Sequence, residues 1–277
     1  MLFPNITGIA IGTHRGLTNQ PNNLGHPPNT IASFTTTNQH HANYIECDCI
    51  MTLDNKIVLF HDKTINTQPI SKQTLASLQN NYPNIETLDI LLKHLTPHNT
   101  SSLTNKYLCL EIKYYETTKK RKTILAQTIL TMLTNYNLNK KTRIVSFDPE
   151  ILQIIYDTDP TYILGLNIIF NKKYHKKHPN PKNTLTHPIT TKIQFCCPHI
   201  NEYDHPKLPP NLPKLIWESN NEDLIYKTLT KIQQTNCIHT WFSKQNIIGI
   251  TTNTVEKVFL LLTKKHPPSL HPFLNFK

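Results

Sequence analysis

Apolar positions along the chain recur with two periods, one of two residues and one of three to four residues. The longer period predicts helices at 29–41, 86–95, 119–136, 150–156 and 222–232. Short apolar runs predict strands at 8–13, 44–51, 57–60, 107–112, 143–147, 163–170, 192–197, 215–217, 237–242 and 247–251. Strands that alternate with helices indicate parallel βα units.

This number of βα units predicts a closed (β/α)8 TIM barrel, with residues 1–277 forming a single domain. No glycine-rich phosphate loop follows the first strand, which argues against a nucleotide-binding doubly wound sheet. A stretch rich in proline, lysine and histidine at 171–213 is poorly periodic, and we expect a long loop there that contains one strand. We detect no internal repeat.

The composition is biased in a way that makes the remaining acidic residues informative. The formal net charge is +11, and only 18 acidic residues and 6 glycines are present. A basic chain favours anionic partners, but the depletion of residues with guanine-containing codons explains the charge better. Under such a bias, each remaining Gly, Asp and Glu has a greater chance of being required.

The chain lacks the signals of secretion and membrane insertion. Residues 1–11 contain no charged n-region, and no run approaches the roughly 18 apolar residues of a membrane span. The six cysteines form no CxxC pair, which argues against a structural zinc site. We therefore expect a cytoplasmic protein without stable membrane insertion.

Ionisable side chains stand at the ends of several predicted strands. His14 follows the first strand, Glu46 and Asp48 lie on the second, His61 follows the next run, and Glu111 lies on a later strand. Active sites of parallel barrels lie at the carboxyl ends of the strands. Three carboxylates in one mouth would repel one another unless a hard divalent cation, Mg²⁺ or Ca²⁺, neutralised them.

The other residues of this group suit the cleavage of a phosphodiester. One histidine can accept a proton from the nucleophile while the other protonates the leaving alkoxide. Arg15 and Lys113 offer positive charge for a phosphate. Cys47 and Cys49 alternate with the acidic side chains of the second strand, so we expect them to face the core.

The chain resembles the glycerophosphodiester phosphodiesterases in a series of short motifs. The segments that match the family are His14-Arg15-Gly16, Pro27-Pro28-Asn29-Thr30, Ala32 and Phe34, Glu46-x-Asp48, Thr52-x-Asp54, Val58-x-x-His61-Asp62, Glu86-Thr87-Leu88-Asp89, Glu111-Ile112-Lys113, Val145-Ser146-Phe147 and Ile248-Gly249-Ile250-Thr251-Thr252. The resemblance implies that His14 and His61 are the catalytic acid–base pair. It also implies that Glu46, Asp48 and Glu111 hold one divalent cation.

By the same resemblance, Arg15 and Lys113 bind the phosphate of a small-molecule glycerophosphodiester. The implied reaction is its hydrolysis to glycerol 3-phosphate and an alcohol such as choline or ethanolamine, with the glycerol hydroxyl able to attack first through a cyclic phosphate. No nucleic-acid-binding motif is present, and the lysines are scattered, so we expect no nucleic-acid partner.

Some positions depart from the family pattern. Pro28 replaces a glutamate, Asn253 stands near an expected aspartate, and the arginine expected after His61-Asp62 is absent from 64–68. The family's tryptophan matches either Trp217 or Trp241. These departures leave two alternatives open: a phospholipase D-like enzyme acting on lysophospholipids or sphingomyelin, or a degenerate barrel that only binds a phosphorylated ligand.

Overall fold

The computed structural model describes residues 8–16, 26–36, 41–96, 101–113, 115–116, 118–171, 184–218, 224–235 and 238–263. Within these residues a closed barrel of parallel strands is formed, because the first strand pairs with both the second and the last. Its strands are β1 (Ala10–Thr13), β2 (Tyr44–Met51), β6 (Tyr107–Ile112), β7 (Thr142–Ser146), β8 (Ile163–Ile168), β9 (Phe195–Pro198), β10 (Lys214–Trp217) and β11 (Ile247–Thr252).

Short strands and helices fill the connections between the barrel strands. Strand β3 (Ile57–Leu59) extends the sheet antiparallel to the upper part of β2, and β4 (Thr64–Ile65) pairs with β5 (Gln68–Pro69). The helices are α1 (Ile31–Thr36), α2 (Leu75–Asn81), α3 (Leu88–Leu95), α4 (Lys119–Asn135), α5 (Pro149–Thr158), α6 (Leu224–Thr235), α7 (Ile238–Lys244) and α8 (Val255–Thr263). The closed barrel with its surrounding helices confirms the predicted fold class.

Large and small residues alternate around the inside of the barrel. A Cβ atom on Gly12 would lie 2.0 Å from the Tyr44 ring, and one on Gly165 would lie 2.4 Å from the Phe195 ring. Both rings are fully buried, so glycine at these two positions makes room for the aromatic residue on the neighbouring strand. The Tyr44 hydroxyl on β2 also hydrogen-bonds Thr251 Oγ1 on β11 at 2.8 Å, which links the two strands that lie on either side of β1.

The main core lies between the barrel and the helices. Thr87 caps α3 by accepting the Ile90 N–H, and the buried face of that helix presents Leu88, Leu91, Leu92 and Leu95. Cys47 and Cys49 belong to the same outer cluster, as the alternation along β2 predicts. These thiols are therefore packing residues, and burial raises the pKa of each well above its ordinary value.

Two predicted segments differ from the structure. The predicted strand at 237–242 is wrong, because Ile238–Lys244 forms helix α7. Ile238 and Phe242 are spaced as on one helix face and both are buried, so the helical period outweighs the β-prone composition. The predicted loop at 171–213 contains the one strand expected there, β9, but it also forms the short 3-10 helices Pro188–Thr191 and Ile200–Glu202, while its residues 172–183 lie outside the described part.

Among the described residues, no helix has the length and apolar character needed to cross a membrane.

Candidate active site

The ionisable residues singled out in the sequence meet at the carboxyl end of the barrel. A cavity of about 210 Å³ opens there, and it is lined by His14, Arg15, Glu46, His61, Glu111 and Lys113, with Asp48 buried beside them. Each comes from the end of a strand or the turn that follows it. The structure therefore brings together all seven residues that the sequence nominated.

Glu46, Asp48 and Glu111 form a compact group of carboxylates. Each offers an oxygen atom, and the three oxygens lie within 4.8 Å of one another. Parallel pairing of β2 with β6 sets this spacing, because Asp48 is in register with Glu111. Oxygen ligands at this separation match the coordination that Mg²⁺ and Ca²⁺ prefer, so the donor set fits one divalent cation.

Two cations neutralise Asp48. Arg15 Nε lies 3.0 Å from one carboxylate oxygen of Asp48, and Lys113 Nζ lies 3.3 Å from the other. Burial disfavours ionisation of Asp48, but the charges of Lys113 and Arg15 outweigh it and lower its pKa below the ordinary value. Lys113 also contacts Glu111 at 2.7 Å.

Glu46 has the opposite electrostatic balance. Burial raises its pKa well above the ordinary value, and the neighbouring charges of Asp48 and Glu111 add to this effect. The backbone N–H of Arg15 donates to Glu46 Oε2 at 2.9 Å, which offsets only part of the cost of ionising this buried carboxylate. A divalent cation at the three carboxylates would remove this penalty, and this is a second reason why the site fits a metal ion.

Asn29 is a site residue that the sequence analysis matched to a motif but gave no role. Its amide nitrogen donates to Asp48 Oδ2 and its amide oxygen accepts the Asp48 N–H, both at 3.0 Å. Asn29 and Arg15 have φ values of 62° and 59°, which few residues other than glycine adopt. The Asn29 N–H donates to Arg15 O, so two unusual turns lock Asp48 in place. The sequence signal for Asn29 was its place in the Pro27-Pro28-Asn29-Thr30 motif.

His14 is held between the first and last strands of the barrel. Its backbone N–H donates to Thr252 O at 3.2 Å, and the residue is only 7% exposed. Burial lowers the pKa of His14 from 6.5 to about 3, and the Arg15 charge acts in the same direction. The charge of Asp48 opposes the shift. Without a bound cation or substrate, the His14 imidazole is neutral at pH 7.

His61 reaches the mouth on the segment that follows β3. Its ring is 32% exposed, and Nδ1 lies 2.8 Å from Asp62 Oδ1. This contact favours the proton on Nδ1 and leaves Nε2 free to exchange a proton with a ligand. The Tyr115 hydroxyl donates to His61 O at 3.0 Å, which fixes the backbone of this segment.

The opposite wall of the cavity is aromatic and apolar. Trp217 lines it, with the Phe147 ring 6.2 Å away and the His199 ring 4.9 Å away, both nearly perpendicular to the indole. Its Nε1 donates to Cys197 O at 2.9 Å. Trp241 instead packs on α7 against Tyr203, so Trp217 is the tryptophan of the cavity.

Glu218 is a second residue without an assigned role, and it follows β10 directly. It is completely buried, and its carboxylate accepts the Thr252 Oγ1–H, the Asn253 N–H and the Ile225 N–H. These bonds join β10, β11 and the start of α6 next to His14. The only signal in the sequence was the scarcity of acidic residues.

The fold is a (β/α)8 barrel, and two histidines, a carboxylate cluster and two cationic side chains meet at its mouth. Residues 14–257 match the model of the glycerophosphoryl diester phosphodiesterase family. The chain belongs to this family and is a phosphodiesterase. A search of curated proteins gave no match.

Solved structures share the fold at low sequence identity. A glycerophosphodiester phosphodiesterase from Parabacteroides distasonis is 19% identical, with 92% of this chain and 97% of that chain covered and a TM-score of 0.67. One from Thermotoga maritima is 17% identical, with 91% and 98% covered and a TM-score of 0.60. A phosphodiesterase from Oleispira antarctica, solved with the product sn-glycerol-3-phosphate, is 15% identical, with 95% and 98% covered and a TM-score of 0.63.

Proposed function

We propose that the protein is a metal-dependent glycerophosphodiester phosphodiesterase that releases glycerol 3-phosphate and an alcohol. One observation carries the proposal: two histidines, two cations and two of the three clustered carboxylates line the same cavity, and the third carboxylate lies directly beside it. The family match over 14–257 supports treating residues 1–277 as one catalytic domain.

Glu46, Asp48 and Glu111 are proposed to hold one divalent cation, Mg²⁺ or Ca²⁺. When bound, such an ion supplies positive charge to the phosphoryl oxygens as negative charge develops on them. Asp48 is prepared for this role, because Asn29 fixes its orientation and the neighbouring cations keep it ionised. Glu46 contributes the carboxylate whose ionisation costs most in the absence of the ion.

His14 and His61 are proposed to move the protons. One histidine takes a proton from the attacking oxygen as the bond between that oxygen and phosphorus forms. The other histidine gives a proton to the departing alcohol oxygen as its bond to phosphorus breaks. When the glycerol hydroxyl attacks first, water then opens the cyclic phosphate with the roles reversed: the histidine that lost a proton takes one from the water, and the other histidine returns its proton to the glycerol oxygen as that oxygen's bond to phosphorus breaks. One water is consumed over the two steps, and both histidines end in their starting protonation states. The partial exposure of His61 and its contact with Asp62 support a group that exchanges protons during turnover.

Arg15 and Lys113 are proposed to bind the phosphate. Lys113 stays charged, because the carboxylates of Glu111 and Asp48 raise its pKa although burial acts against them. Both side chains line the cavity next to the carboxylates, so they would reach the same phosphate as the metal ion. The Oleispira antarctica phosphodiesterase binds sn-glycerol-3-phosphate in its crystal, which supports this substrate class.

The decisive experiment measures glycerol 3-phosphate release from glycerophosphocholine and glycerophosphoethanolamine. The protein is first treated with chelator, and Mg²⁺ or Ca²⁺ is then restored. Release that stops with chelator and returns with one ion supports the proposal and identifies the ion. Folded protein that releases nothing with either ion contradicts it, and cleavage of lysophosphatidylcholine or sphingomyelin under the same conditions would support the phospholipase D-like alternative.

A further inference from the structure

One polar side chain of the cavity has no part in the proposed chemistry. Asn167 lies on β8, is only 5% exposed and lines the cavity. Strand β8 stands fifth around the barrel when β1 is counted first, so Asn167 faces the mouth from the side opposite His14. A substrate held by its phosphate at the carboxylates would extend toward this wall.

The neighbours of Asn167 offer little for its amide to bond. Asn167 is in register with Cys197 on β9, and the preceding residue Leu166 is in register with Ser146 on β7, which places Phe147 beside Asn167 on the other flank. Both neighbouring side chains line the same cavity. Neither a thiol nor a phenyl ring satisfies a primary amide, which has two N–H donors and a carbonyl acceptor.

The Asn167 side chain makes no hydrogen bond to the parts of the chain that the structure describes. The buried amide of Asn29, by contrast, uses both of its amide atoms on Asp48. Native proteins leave few polar groups without a partner, and an amide that lines a cavity finds its partner in water or in a ligand. An amide that faces a ligand cavity is satisfied when the ligand arrives.

Charge on this wall restricts which group the amide can meet. Among the described residues, the lining from β7 to β11 contains no carboxylate, lysine or arginine; it is formed by Val145, Phe147, Asn167, Ile169, Cys197, His199, Leu215, Trp217 and Thr251. A neutral wall with one amide complements an uncharged group that both donates and accepts a hydrogen bond, and a hydroxyl is such a group.

We infer that Asn167 is a specificity-determining residue that hydrogen-bonds a free hydroxyl of the substrate's glycerol part. The inference rests on the proposed function, because it takes the ligand to be a glycerophosphodiester. In glycerophosphocholine the choline oxygen is already esterified, so the only free hydroxyls are those of glycerol. Asn167 would therefore recognise the part of the substrate that leaves as glycerol 3-phosphate.

The test compares two ligands that differ in hydroxyls, sn-glycerol 3-phosphate and propyl phosphate, by calorimetry with Mg²⁺ or Ca²⁺ present. The wild type should bind glycerol 3-phosphate more tightly. Asn167→Leu, which has a similar volume, should weaken glycerol 3-phosphate binding about tenfold, the loss expected for one hydrogen bond. Binding of propyl phosphate should be unchanged or tighter. Asn167→Ala serves as the second variant if the leucine variant does not fold.

Ile168→Val is the matched control, because Ile168 lies on the same strand but packs in the outer core. It should leave the affinity ratio of the two ligands unchanged. Equal losses for both ligands in Asn167→Leu, or no loss for either, would overturn the inference. Binding requires no turnover, so a wild type that binds glycerol 3-phosphate but cleaves no glycerophosphodiester would refute the proposed function alone. A wild type that does not prefer glycerol 3-phosphate would refute the inference.

Discussion

The two sides of the barrel mouth differ sharply in charge. The ends of β1, β2 and β6 present three carboxylates and two cations, and these charges compensate one another through contacts of 2.7 to 3.3 Å. The ends of β7 to β10 present rings and apolar groups with one buried amide. Charge is concentrated where a phosphate would react, and the neutral side is suited to recognising the rest of the molecule.

The two sides also differ in how their side chains are held. Asp48 on the charged side is fixed by an amide clamp from Asn29 and by two ion pairs. Trp217 on the neutral side is fixed by one bond to a backbone carbonyl and by ring packing. Substitutions on the charged side should therefore affect catalysis and metal binding, whereas those on the neutral side should affect substrate preference and stability.

The largest expected effect is on the charged side, in His61→Ala. If His61 transfers a proton in the reaction, its loss should lower kcat by about 10² to 10⁴ while KM changes little. The melting temperature should stay close to that of the wild type, because the ring is 32% exposed. His94→Ala, remote on α3, is the control and should turn over normally. A His61→Ala enzyme with near-normal kcat would remove this residue from the mechanism.

A carboxylate outside the metal cluster should matter for stability instead. Glu218→Leu removes the acceptor of three buried donors from Thr252, Asn253 and Ile225. Leaving such donors unsatisfied should lower the free energy of unfolding by on the order of 3 kcal/mol, measured by denaturant unfolding. Glu150→Gln, at a half-exposed ion pair with Lys122, should cost less than about 1 kcal/mol. If Glu218→Leu loses no more unfolding free energy than Glu150→Gln, the Glu218 network contributes little to stability.

Glu46→Gln should weaken cation binding by about tenfold or more, since even residues that only orient a metal ligand contribute that much. Burial raises the pKa of Glu46, so a cation competes with a proton at this carboxylate more strongly as the pH falls. Apparent affinity should therefore rise with pH, and calorimetry in buffers of different ionisation enthalpy should detect the released proton.

Both the pH dependence and the proton release should be reduced in Glu46→Gln, which has no proton to lose. Asp157→Asn makes the same change in charge at an exposed position of α5 and should bind the cation normally. If Glu46→Gln keeps wild-type affinity, the cation lies elsewhere and the charged side has another purpose.

The charged side could be predicted from the sequence, whereas much of the neutral side could not. Glu46, Asp48 and Glu111 lie on strands whose alternation fixes the face of each side chain, and parallel pairing brings strand ends together. Asn167 lies in an ordinary apolar strand, and only the closed barrel shows that it faces the cavity. Trp217 and Trp241 could not be separated before α7 was known to be a helix. Glu218 could not be predicted either, because two of the three groups that donate hydrogen bonds to it, on Thr252 and Asn253, lie more than thirty residues away in the sequence.

The smallest expected effect separates the two faces of β2. Cys47→Ser should leave kcat within about twofold of the wild type, because the side chain packs between barrel and helices rather than in the cavity. Burial raises the pKa of this thiol, so it remains protonated and is a poor nucleophile. A buried hydroxyl should instead cost about 1 kcal/mol of unfolding free energy.

The informative comparison is Cys109→Ser, since Cys109 lines the cavity and can influence ligand binding. A large loss of kcat in Cys47→Ser at unchanged stability would show that β2 does not orient its side chains as described, and the metal assignment of Glu46 and Asp48 would then fail with it.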